Sequence, residues 1–158
     1  MDNQIGINAE DRAAVSLELS KMLADTFVLY VKTRRAHWNV EGADFYAQHK
    51  FFESQYEQVD DIMDSIAERI RSLGHFPPAT LKDFLAHTHL TEAMSETNDS
   101  AGFITELLRD HNAIIMNIRG NINHFANVHN DLGSSDFITG LLETHEKMAW
   151  MLRAHLVR

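Results

Sequence analysis

Cysteine is absent from the 158 residues, which removes disulfides, thiolate zinc sites, iron–sulfur ligation and thiol nucleophiles together. Any metal bound by this chain must rest on histidine and carboxylate. Proline occurs twice, side by side at Pro77 and Pro78, and glycine seven times, so long stretches run without a strong breaker and long helices are expected. No run of about 18 apolar residues is available to span a bilayer. The opening MDNQIGINAEDR is acidic and lacks an apolar core, which predicts no secretory signal and a cytoplasmic location. Positive charge is scarce as well: 14 Lys+Arg against 23 Asp+Glu leave a net −9. That balance argues against a body that grips nucleic acid by neutralising phosphates, while leaving room for a local basic arm.

What remains is the composition of a globular chain, 44% apolar and 23% charged, in a length that closes one core, so a single domain over 1–158 is expected. After a short tail, 1–8, Asn8 with Glu10 and Asp11 signals a helix start. Val15, Leu19, Met22, Leu23, Phe27 and Tyr30 then recur at helical spacing, predicting helix A to about Ala36. Gly42 separates it from helix B, 43–73, which Gly74 and the diproline stop. Residues 75–99 read as a long crossover carrying a short helix, with the apolar clusters Leu81, Phe84, Leu85 and Leu90, Met94; a connection of that length lets helices B and C run parallel. Helix C is expected from about Ser100 to Asn127 and helix D from about Ser135 through Leu152. No strand pattern appears. Short, long and short connections predict an all-α, ferritin-like four-helix bundle with a short helix in the crossover between helices B and C.

Helix B carries the chemistry. At 100° per residue from His49, the residues Glu53, Glu57, Asp60, Asp64 and Glu68 fall at about 40°, 80°, 20°, 60° and 100°, inside one quarter of the wheel. Phe51, Phe52, Tyr56, Val59, Ile62, Met63, Ile66, Ile70 and Leu73 occupy about 200° to 340°, so the acidic stripe borders the buried face. A solvated acidic face is the plain alternative, but only Lys50 and Arg71 offset the repulsion within that quarter. His49 and Asp64 are about 22 Å apart along the helix and His49 and Glu68 about 28 Å, too far for one metal in one chain. Two antiparallel copies related by a two-fold axis near residues 58 and 59 would set His49 opposite Glu68 and Glu53 opposite Asp64, giving two equivalent His/carboxylate clusters. Repelling acidic surfaces need cations between them. His37, ending helix A, could fold back beside His49 and add a second imidazole. Carboxylates with two neutral imidazoles and no thiolate suit iron, manganese or zinc, and favour iron over copper.

The segments His37-Trp38-Asn39-Val40-Glu41-Gly42, His49 with Glu53, and Met63-Asp64-Ser65-Ile66-Ala67-Glu68-Arg69 with Leu73-Gly74 resemble the two signature segments of the Dps family of miniferritins. The resemblance runs, through helix lengths and crossover, over essentially the whole chain. It implies a homododecameric shell built from two-fold dimers, which oxidises Fe(II), usually with hydrogen peroxide, otherwise with dioxygen, and stores ferric mineral against oxidative stress. By motif position, His37, His49 and Glu53 of one subunit and Asp64 and Glu68 of its neighbour would form the ferroxidase centre, holding one or two irons. Glu53 stands where many members have Asp, one methylene shorter, and Gln48 replaces a commonly apolar residue. Trp38 matches the family's tryptophan near the centre, an electron donor on that reading and a core indole on the plainer one. The family also places acidic residues around iron-access pores, to which Asp131 and Asp136 would correspond; helix capping is their simpler use.

Other histidines, at 87, 89, 111, 124, 129, 145 and 155, have no HxxxH or ExxH spacing and read as surface or satisfied core groups; Asp83 and His87, four apart, could form a weak surface metal pair. The missing HxxxH also counts against a hemerythrin-type metal bundle, and the missing duplicated ExxH against a di-iron site inside one bundle. A nucleoid DNA-binding protein on the same scaffold is the competing function. Lysine-rich arms serve that purpose in the family, whereas residues 1–11 hold no Lys or Arg and the end of helix D offers only Arg153 and Arg158. DNA affinity at physiological salt is expected to be weak or absent.

Overall fold

The structure, a computed structural model, describes residues 4–92 and 96–157; Met94 and Arg158 lie outside them. Five helices follow one another: α1 Ala9–Asn39, α2 Phe45–Ser72, α3 Leu81–His87, α4 Ser100–Asn127 and α5 Leu132–Ala154. Among the described residues there is no strand, only an isolated bridge between Glu41 and Asp99. None of the helices is long and apolar enough to cross a membrane.

Four starts are capped by side chains that answer otherwise unpaired amides. Asn8, Thr80, Asp99 and Asp131 each accept from the N–H three residues on, at Asp11, Asp83, Gly102 and Ser134. At the other end of α2, Gly74 takes a positive φ of 91°. Its amide reaches the Arg71 carbonyl and the His75 amide the Ile70 carbonyl, a glycine-terminated stop. Helix α5 begins three residues before the expected Ser135, because Asn130, at φ 53°, reverses the chain and frees Asp131 to cap.

α1 packs on α2 and α4 on α5. The rings of Tyr30 and Tyr56 meet at 6.1 Å and those of His37 and His49 at 3.8 Å, so α1 and α2 are antiparallel. Lys32 pairs with Asp110 and Arg35 with Glu106, so α1 and α4 are antiparallel too. α2 and α4 therefore run parallel, as the crossover permits. α3 lies on α1, where Phe84 stacks on Phe27 at 4.2 Å.

α1 is covered on most sides. Its buried Ser20, Thr26 and Thr33 hydroxyls donate to carbonyls four residues back, which keeps them satisfied within the helix. The core is otherwise aliphatic and aromatic, with Leu19, Leu29, Phe52, Ile66, Phe103, Ile118, Phe125 and Met148 fully enclosed.

Candidate metal centre

His37 sits in the last turn of α1 and His49 in the second turn of α2, joined by a tight bend at residues 40–44. Gly42 adopts φ 127° there, and a Cβ on it would press against the Asp44 carboxylate at 3.3 Å. The bend lays one imidazole on the other, 22° from parallel. Each ring also binds the other residue's backbone: His37 Nδ1 donates to the His49 carbonyl and His49 Nδ1 to the His37 carbonyl, both at 2.8 Å. The His37 carbonyl needs this partner, because α1 is ending and the Glu41 amide has turned away to Asn98. A carbonyl can only accept, so both Nδ1 atoms carry the proton and both Nε2 lone pairs are left to ligate. Tyr56 closes one side of His37, edge-on at 5.2 Å, and Phe45 lies beside His49 at 5.3 Å.

Glu53, one turn beyond His49, is half-buried and bound by Lys50 Nζ at 2.7 Å. That hydrogen bond, above all, holds the Glu53 carboxyl below its usual range; burial is the next largest effect and opposes it, while the Lys50 charge and then His37 and His49 add to the lowering. His37, His49 and Glu53 are thus brought together. Asp64 and Glu68 are not: they lie farther down α2, exposed, as are Glu57 and Asp60. Among the described residues, no three His, Asp or Glu side chains of one chain converge on a metal position.

Trp38 is 65% exposed in the single chain, outside the core of the bundle. The Arg34 guanidinium lies 5.3 Å from its ring centre, 4.3 Å from that of Tyr56 and 5.6 Å from that of Tyr30. Arginine so placed is attracted to ring faces. Arg34 and Tyr56 carry no recognisable motif, and only the wheel position of Tyr56 hinted that it borders the stripe.

The two candidate pore residues separate. Asp131 is buried and its carboxylate is taken by the Ser134 amide and hydroxyl and by Arg69 of α2. Asp136 is exposed in the first turns of α5. Asp83 and His87 are joined through the Asp83 carbonyl instead of its carboxylate.

Two histidines assigned to plain structural roles make an unusual pair. His111 of α4 and His145 of α5 are both buried, with Nδ1 atoms 3.0 Å apart, and His145 Nε2 finds no partner. Burial pushes the His111 imidazole well below its ordinary value and that of His145 down to about 4.

These features are those of a ferritin-like bundle, and the profile of the ferritin-like domain matches residues 17–158: the chain belongs to that family. Its relatives include the DNA protection during starvation protein 2 of Bacillus anthracis, 34% identical over 87% of this chain and 93% of the relative. The DNA protection during starvation protein of Helicobacter pylori is 33% identical over 87% and 95%. A low temperature-induced protein of Nostoc, itself uncharacterized, shares 38% identity over 96% and 85%. Among solved structures, the Dps protein of Vibrio cholerae, described as one of the ferritin-like diiron-carboxylate proteins, superposes with a TM-score of 0.91 at 27% identity, covering 98% of this chain and 96% of that one. Dps from Thermosynechococcus elongatus gives 0.87 at 28% identity over 94% of each. Within the ferritin-like family the chain is a Dps-type miniferritin.

Proposed function

We propose that this chain is a ferroxidase and iron-storage subunit that oxidises Fe(II), with hydrogen peroxide as the principal oxidant, and holds the ferric product inside a cytoplasmic shell of twelve copies. The observation that carries this reading is the reciprocal clasp of His37 and His49. It fixes two imidazoles in the tautomer that ligates, beside the Glu53 carboxylate, where a hydrogen-bonding role alone would need only one of them.

On this reading iron is the substrate and the protein supplies its coordination sphere. Neutral imidazole nitrogens and hard carboxylate oxygens suit Fe(II), and carboxylate charge favours Fe(III) still more, so oxidation at the site is easier than in water. Asp64 and Glu68 would complete the sphere from a second copy whose α2 runs antiparallel across a two-fold axis, consistent with the spacing along that helix. No protein nucleophile or general acid is required. Trp38, beside the centre and exposed in the single chain, is suited to donate an electron to stray oxidising equivalents. Asp136 is the better placed of the two candidate carboxylates to guide iron through a pore.

The H37A/H49A double variant should lose peroxide-dependent Fe(II) oxidation by at least about ten-fold in initial rate, with native mass unchanged. Wild-type rates in that variant would remove the site assignment.

A further inference from the structure

Lys50 stands within this centre and has no part in the scheme above. It follows His49 directly and precedes Glu53 by three residues, the spacing at which side chains on one helix face meet. Its side chain is 52% exposed, yet the ammonium is turned onto the Glu53 carboxylate at 2.7 Å instead of into solvent. The carboxylate it holds is one turn beyond His49 and feels the charge of both imidazoles. No other cation is paired with Glu53 among the described residues.

We propose that Lys50 is a resident counter-cation that competes with the incoming metal ion for Glu53, weakening occupancy of the centre until Glu53 swings from the ammonium to the ion. This rests on the proposed function, since it assigns a regulator to the same site. Without iron, Lys50 neutralises a carboxylate beside two imidazoles and keeps the empty centre from collecting adventitious cations. With iron, the Lys50–Glu53 contact must break, and the freed ammonium has open solvent to move into. The extra methylene of Glu53, compared with an aspartate, gives the carboxylate reach for both positions. Surface ion pairs of this kind are weak, so the competition adjusts affinity without forbidding binding.

Calorimetric titration with Co(II), which takes similar ligands and does not turn over, tests the idea. Lys50→Gln should bind Co(II) about five-fold more tightly than wild type, the factor a surface ion pair supplies, while Lys50→Arg should stay near wild type. Lys147→Gln, which removes an equal charge from exposed α5, should leave the affinity unchanged. In a Glu53→Gln background, with no carboxylate to contest, Lys50→Gln should add less than about two-fold. Equal or weaker Co(II) binding by Lys50→Gln overturns the proposal. So does a gain that persists without Glu53, which would mean a general field effect. Binding that survives H37A/H49A overturns the centre itself, and with it the role of Lys50. If H37A/H49A abolishes binding and Lys50→Gln changes nothing, only the Lys50 role falls.

Discussion

A buried histidine is tolerated only while it is neutral, and His111 and His145 are held neutral by burial well below the ordinary histidine value of 6.5. In the unfolded chain both rings regain that value and take up protons that the folded chain refuses. Between the His145 value of about 4 and 6.5 the unfolded state therefore binds more protons, and stability falls as pH falls. The contribution is complete above about pH 6.5 and is lost toward pH 4, amounting to roughly 3 kcal/mol for His145. Replacing both rings by leucine should flatten the fall of the urea midpoint between about pH 7 and pH 5, because removing both partners leaves no orphaned polar atom. An unchanged slope would place the acid sensitivity elsewhere. This pair was not legible in the sequence: its members are 34 residues apart and meet only because α4 packs on α5. His37, His49 and Glu53 were legible because ligand chemistry restricts residue types and a helix restricts spacing. Lys50 was visible only as a charge inside the acidic quarter, since wheel geometry does not say which way a long side chain turns.

Among the elements, α5 shows best how one residue serves two. Asp131 caps its first turn and at the same time holds Arg69 of α2, whose Nε also donates to the Ser134 hydroxyl. Asp131→Ala should cost about 2 kcal/mol, from the lost cap and the partly orphaned guanidinium. For a domain of this size the melting temperature should drop by roughly 4–8 °C. Asp131→Asn, which keeps a cap acceptor without the charge, should recover about half of the loss, and a silent Asp131→Ala would deny the cap any weight. Gly133 shows how close that packing is, since a Cβ there would come within 3.0 Å of the Arg69 guanidinium. The number, order and type of helices could be read from breakers and periodicity alone. The ends were less legible, because a carboxylate in the right place is as good a cap as a serine: the sequence offered Asp131 both to a pore and to a cap, and only with the turn at Asn130 is the cap seen. Helix α1 was read from six apolar positions, yet it is buried almost all round, which sequence periodicity does not reveal when serine and threonine satisfy themselves along their own helix.

For the whole molecule, the net −9 acts collectively if twelve copies assemble as proposed, giving an acidic shell that concentrates Fe(II) and repels DNA. Gel retardation at moderate salt should therefore show free DNA at protein concentrations where light scattering already reports the large oligomer. A retarded band that weakens steeply with salt would instead favour the nucleoid-binding reading. The proposal that the functional unit exceeds the chain comes from the distances along α2, because no fold of one helix can shorten its own axis. The bend at Gly42 has a consequence of another kind. His49 donates to the His37 carbonyl in the last turn of α1, so the ring that the proposed function would offer to iron is also the peg that fastens one long helix to the next. A ring coordinated through Nε2 becomes a stronger donor at Nδ1. Each ion taken up would then act as a rivet at that corner, and a laden shell would be stiffer at every such joint than an empty one.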